Sequence, residues 1–169
     1  MRIATLIACT AAIVGAMSDR ASTEPGSNVI KIAVFGFELQ DVSPAGALGK
    51  ATSSDTSLLK ATTAAREELQ SSGRYGIVSI EGVDAKPAQK RALRDCDGCE
   101  AEIARKLGAQ QTMIGIVQRV TQTDYYVVVV MRDASTGKIV NAQVANFAGG
   151  EEGWASGVRR IIKRQVLPQ

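Results

Sequence analysis

The residues best equipped for chemistry lie in one short stretch, Cys96-Asp-Gly-Cys99, with Asp95, Glu100 and Glu102 beside it. A C-x-x-C pair opening a helix suits thiol–disulfide exchange, because the helix N-terminus favours a thiolate. The acids Asp95, Asp97, Glu100 and Glu102 oppose this, since nearby negative charge disfavours the thiolate. Thioredoxin-type pairs also follow directly on a strand, whereas a helical turn precedes this one. The leading expectation is a structural disulfide, Cys96–Cys99, pinning a kink before a helix. Its loop is too small for a large gain in chain entropy. A redox-active pair is the alternative. A soft-metal site needs two further soft ligands, and the chain has no histidine and one other cysteine, Cys9. No metal or cofactor is therefore assigned.

Asp95, Asp97 and Glu100 could form an irregular cation site. An EF-hand loop counted from Asp95 fails, with Cys99 at position five, Glu100 at six and Lys106 at twelve. Otherwise these acids are solvated groups at a helix start, favoured by its dipole. The lack of histidine removes Ser-His and Cys-His catalysis. Ser57-Leu-Leu-Lys60 fits S-x-x-K without the partner motifs of penicillin-recognising enzymes, so it reads as a capping serine and an exposed lysine. Gly153-Trp-Ala-Ser-Gly157 is not G-x-S-x-G, and Gly137-Lys138 sits in a turn rather than a phosphate loop. No catalytic residue is assigned.

With 20 Lys+Arg against 17 Asp+Glu, a net charge of +3 is too small to indicate nucleic acid. Arg159, Arg160, Lys163 and Arg164 line one side of the last helix and make a candidate surface for an acidic partner or anionic headgroups. The alternative is a hydrated complement to the helix dipole.

The elements that position these groups follow from periodicity. Ile30–Leu39 alternates as a strand, and Val42–Thr56 reads as a loop that could hold a small ligand. Leu58, Thr62, Ala65 and Leu69 mark one helical face, capped by Ser57 or Asp55 and ended by Gly73. Tyr75–Ile80 is a second strand, Pro87 opens a helical turn, and Asp97 caps a helix with Ile103, Ala104 and Leu107 inward. Strands Thr112–Val120, Tyr125–Met131 and Lys138–Phe147 follow, with a hairpin turn at Asp133–Lys138. The Tyr125 strand belongs inside the sheet, leaving Lys138–Phe147 as the edge open to strand addition by a partner. The last helix, Glu151–Leu167, turns Trp154, Val158, Ile161, Ile162 and Val166 inward. The order β-α-β-α-β-β-β-α implies one α/β (α+β) domain with a single mixed sheet of about five strands, helices packed on it.

Ahead of this domain, Met1-Arg2 and about fifteen apolar or small residues have the form of a secretory signal peptide, residues 1–18. As a helix the apolar run spans roughly 22 Å, short of a bilayer's hydrocarbon core of about 30 Å. Leu6-Ile-Ala-Cys9 matches a lipobox, but the apolar run continues past it, which disfavours acylation. Residues 19–28 form a flexible leader and 29–167 the domain. The expected location is periplasmic, with no stable transmembrane span after processing.

The run Lys31–Leu39 resembles the opening strand of TolB N-terminal-like domains of bacterial envelope proteins. Together with Cys96–Ala109, Arg132–Lys138 and Gly153-Trp154, the chain is similar to small exported alphaproteobacterial proteins of unknown function. The resemblance implies an envelope location and a non-enzymatic interaction or accessory module with envelope protein partners, serving a periplasmic dehydrogenase or transport system. A thiol–disulfide protein using Cys96 and Cys99, or a small-ligand or cation-binding module, are the other readings.

Overall fold

The structure, a computed structural model, describes residues 29–49, 54–81 and 92–168. The signal peptide, the leader and the turn expected at Pro87 lie outside the described residues. One mixed sheet contains β1 (Ile30–Val34), β2 (Glu38–Asp41), β3 (Tyr75–Val78), β4 (Gln111–Arg119), β5 (Asp124–Asp133) and β6 (Ile139–Ala148). Its order is β3-β1-β4-β5-β6, with β2 also on β4. β1 runs parallel to β3 and β4, and β4, β5 and β6 form an antiparallel meander, as the crossover and hairpin lengths require. Four helices pack on this sheet: α1 (Pro44–Ala47), α2 (Asp55–Ser71), α3 (Cys99–Lys106) and α4 (Trp154–Ile161), the last continuing as a π turn, Ile162–Val166.

The first strand corrects the sequence reading. It is not one strand but two, β1 and β2, lying end to end along β4. Val34 pairs with Met113 and Glu38 with Ile116, so four steps on one strand face three on the other. That extra residue is a bulge, and it reverses which side chains face which side. Phe35 packs on one face of the sheet and Phe37, two residues on, packs on the opposite face. Helix α2 takes the freed backbone groups: Arg66 donates to the Val34 carbonyl at 2.8 Å, and the Phe37 N–H donates to Thr62 Oγ1 at 2.9 Å. The Phe37 ring lies so close to Gly115 that a Cβ there would come within 2.2 Å of it.

Smaller corrections concern where the helices start. The Val42–Thr56 loop contains α1, whose N-cap Ser43 accepts from the Gly46 N–H. Helix α2 is capped at Ser54, not Ser57 or Asp55. Helix α3 is capped by Gly98 and not by Asp97, which takes a positive φ of 44° and turns its side chain to Arg132. The final helix is composite, opening with a 3-10 turn at Glu151–Gly153 and closing on the π turn.

The larger core lies between the sheet and the α2–α4 layer. Ile32, Leu69, Met113, Val127, Val129, Met131, Trp154, Ile161 and Ile162 are all essentially removed from water there. The five inward positions expected on the last helix, from Trp154 to Val166, are each 1% exposed or less. Gly157 lets α4 seat closely, since a Cβ would meet the Tyr125 hydroxyl at 2.9 Å. The glycines around Trp154 thus serve packing. A smaller core on the other face joins Ala33, Phe35 and Ile114 to Leu93, Ile103 and Ala104 beneath α3.

Candidate functional site

Three regions hold the candidate residues. The first is the disulfide: Cys96 and Cys99 are bonded, with Cα atoms 5.6 Å apart. A 3-10 turn, Leu93–Asp95, leads into it. Glu38 of β2 holds that turn, accepting from the Leu93 N–H at 2.6 Å, the Arg94 N–H at 3.2 Å and the Arg94 side chain at 3.0 Å. The acids around the disulfide do not converge on a common point. Asp95 sits against its neighbour Arg94, and Asp97, 98% exposed, accepts from Arg132 at 3.2 Å. Glu100 is not a solvated helix-start acid. It is 0% exposed, with Oε1 at 3.0 Å from Arg132 Nε. Among the described residues, the potential metal ligands that do converge are Cys96, Cys99 and Glu100.

The second region is the basic stripe. Arg159 donates to Glu67 at 2.7 Å and to Glu68 at 3.1 Å, and Lys163 lies 3.3 Å from Glu68. Hydrogen bonds to Glu67 and Glu68 raise the Arg159 pKa. These two cations tie α4 to α2. Arg160 lies over the Phe147 ring, 5.5 Å from its centroid, and Arg160 and Arg164 are turned to solvent.

The third region was hidden from sequence reasoning. Arg119, at the end of β4, is nearly buried over the Trp154 ring at 5.2 Å. Its guanidinium donates to Asp41 at 3.0 Å, Ser54 at 2.6 Å and Glu151. Burial works to raise the Asp41 pKa, but hydrogen bonds from Ser43 and the Arg119 charge outweigh it, and the net shift is downward. Tyr125 donates to the Gly153 carbonyl at 2.9 Å, and desolvation raises its pKa. Both terminal nitrogens of Arg119 are engaged within the protein. The cluster locks β2, β4, α2 and α4 together rather than offering a ligand site.

Beyond these polar sites lies a surface that, among the described residues, no helix fully covers. α3 shields only part of its face of the sheet. The remainder shows Ile116, Val128 and Val144 in one cross-strand row, with Gln118, Tyr126 and Asn146 in the next. Val144 is 60% exposed and Tyr126 38%. The adjoining edge, β6, carries no charged residue over its ten positions and buries only Phe147. The opposite edge, β3, has only four residues. Among the described residues no helix is long and apolar enough to cross a membrane.

The described residues thus form a small α/β domain with one mixed sheet, whose uncharged edge strand β6 adjoins a partly exposed face. The chain belongs to the family described as "Protein of unknown function (DUF2380)", whose model, DUF3280, matches residues 30–166. None of the curated proteins matches it. Among solved structures it is similar in fold to the PelC dodecamer from Paraburkholderia phytofirmans, with a TM-score of 0.52 and 16% identity over 80% of this chain and 86% of that one. Others are the LpoB C-terminal domain from Salmonella enterica (TM-score 0.49, 16% identity, 69% and 81% covered) and TolB from Acinetobacter baumannii (TM-score 0.46, 13% identity, 83% and 29% covered).

Proposed function

We propose that the chain is an exported, non-enzymatic interaction module of the bacterial envelope. In this reading residues 1–18 direct export and are removed, residues 19–28 are a leader, and the domain from 29 to 167 acts in the periplasm. It docks an extended, uncharged segment of an envelope protein against β6 and the open half-face. The carrying observation is the contrast between the edges: β6 is long and charge-free, and edge strands are normally blunted by shortness, charge or proline. Main-chain hydrogen bonds along β6 would supply affinity, and Tyr126, Val128 and Val144 would select the side chains that lie over them. The resemblance to exported envelope proteins supports the location, and a dehydrogenase or transport system is the setting it implies. The solvent-facing Arg160 and Arg164 supply a secondary surface for acidic groups.

The test is capture of the tagged chain from its native envelope, wild type beside Val144→Lys. One defined partner held by the wild type and lost by the variant, at an unchanged melting temperature, is the expected outcome. Equal retention by both chains would refute docking at this face.

A further inference from the structure

The surroundings of Cys96 fit a thiol better than a disulfide sulfur. Its Sγ lies 3.1 Å from the Leu93 carbonyl oxygen and 4.0 Å from Glu100 Oε2. Both neighbours are acceptors, and a disulfide sulfur has no proton to give them. Glu100 is fully buried, and its Oε2 has no other partner among the described residues; its Oε1 faces Arg132 Nε without a well-formed hydrogen bond. A buried carboxylate short of donors is costly, and a donor that appears on reduction relieves that cost.

Cys99 stands differently, as the first residue of the eight-residue helix α3. Backbone N–H groups at that end stabilise a thiolate. The acids that argue against a thiolate are largely answered by cations: Asp97 and Glu100 by Arg132, Glu102 by Lys106 at 2.8 Å, and Asp95 by Arg94.

We propose that Cys96–Cys99 is an exchange-active disulfide, with Cys99 the sulfur that forms mixed disulfides, Cys96 the resolving thiol and Glu100 a positioning residue for the Cys96 proton. The co-reactant is a dithiol. One of its thiolates attacks Cys99 Sγ, forming an intermolecular S–S bond as the Cys96–Cys99 bond breaks. The electron pair leaves on Cys96 Sγ, which takes up the proton given up by the attacking thiol and donates it toward Leu93 O and Glu100 Oε2. The second thiol of the dithiol then attacks the mixed disulfide and expels Cys99 as a thiolate, its own proton passing to water. The dithiol is oxidised by two electrons and the protein disulfide is reduced by two. This order is the reverse of the usual one, in which the N-terminal cysteine of the pair attacks.

Three readouts test it on the full mature chain. The wild-type disulfide opens in millimolar reduced glutathione at pH 7 with the fold retained; a disulfide that stays closed overturns the proposal, and this measurement needs no variant. With glutathione disulfide as the probe, Cys96→Ser, which leaves Cys99 free, forms the mixed disulfide about tenfold faster than Cys99→Ser; equal rates or the opposite order overturn it. Glu100→Gln makes the disulfide harder to open, lowering the equilibrium constant for reduction about tenfold, as expected for losing a hydrogen bond to a charged group. A purely structural disulfide would give no such directed shift.

Discussion

The two faces of the sheet use the same strands to different ends. On the inner face, Tyr125, Val127, Val129 and Met131 of β5 are 2% exposed or less and lie beneath α2 and α4. On the outer face, the intervening Tyr126 is 38% exposed, and Val144 on the neighbouring strand is 60% exposed. Side-chain type along β5 does not explain the difference, because its tyrosines and valines alternate onto both faces. Coverage does: among the described residues, α2 and α4 close one face, while the eight residues of α3 close part of the other. It is this less covered face that the proposed docking uses.

Substitutions on the two faces should therefore separate stability from binding. Trp154→Ala, on the closed face, should cost about 3–5 kcal/mol, because it removes the largest core side chain and the surface under Arg119. Denaturant unfolding measures this, and a loss below about 1 kcal/mol would show the inner face to be loosely packed. Arg119→Met should cost a similar or slightly smaller amount, about 3 kcal/mol, since Asp41 and Glu151 keep their charges without the cation between them. Double replacement with Asp41→Asn should recover part of that loss. Gly115→Ala should cost about 1–3 kcal/mol by driving the Phe37 ring from its seat. Val144→Lys, on the open face, should change stability by less than about 0.5 kcal/mol while abolishing partner capture.

The smallest effect concerns neither face but the β5–β6 turn that joins them. Hydrogen bonds from the Ser135 hydroxyl and from Thr136 hold the Asp133 pKa at about 2, below its ordinary 3.8. A depressed carboxyl contributes its stability fully above the unfolded value, near pH 4, and loses it as the pH falls through about 2. The melting temperature of the wild type should thus exceed that of Asp133→Asn at pH 5, with the gap closing below pH 2. A constant gap would mean the turn does not depend on the charge.

How far the sequence revealed this arrangement depends on the range of the interaction involved. The last helix was legible because its stripe repeats with the helical period and all five inward residues fall on one side. The β5–β6 hairpin and the edge position of β6 were legible because turn chemistry and meander connectivity are local. The break in the first strand was not, because Ile30–Leu39 alternates smoothly by residue type while the extra residue is defined only by pairing with β4. Arg119 carries no local signal that sets it apart within the Thr112–Val120 strand. Its burial depends on Asp41, 78 positions away, and on Trp154. Glu100 read as a solvated acid for the same reason, since Arg132 lies on another element. The cysteine pair was visible at once, and its distinct sulfur environments were not.

The most direct test of the docking account is site-specific photo-crosslinking in the native envelope. The photoreactive residue is placed at Val144 on the open face, or at Leu59, equally apolar and 64% exposed, on α2. The account predicts one adduct of defined mass from Val144 and none from Leu59. No adduct at Val144, or the same adduct from both positions, would contradict it.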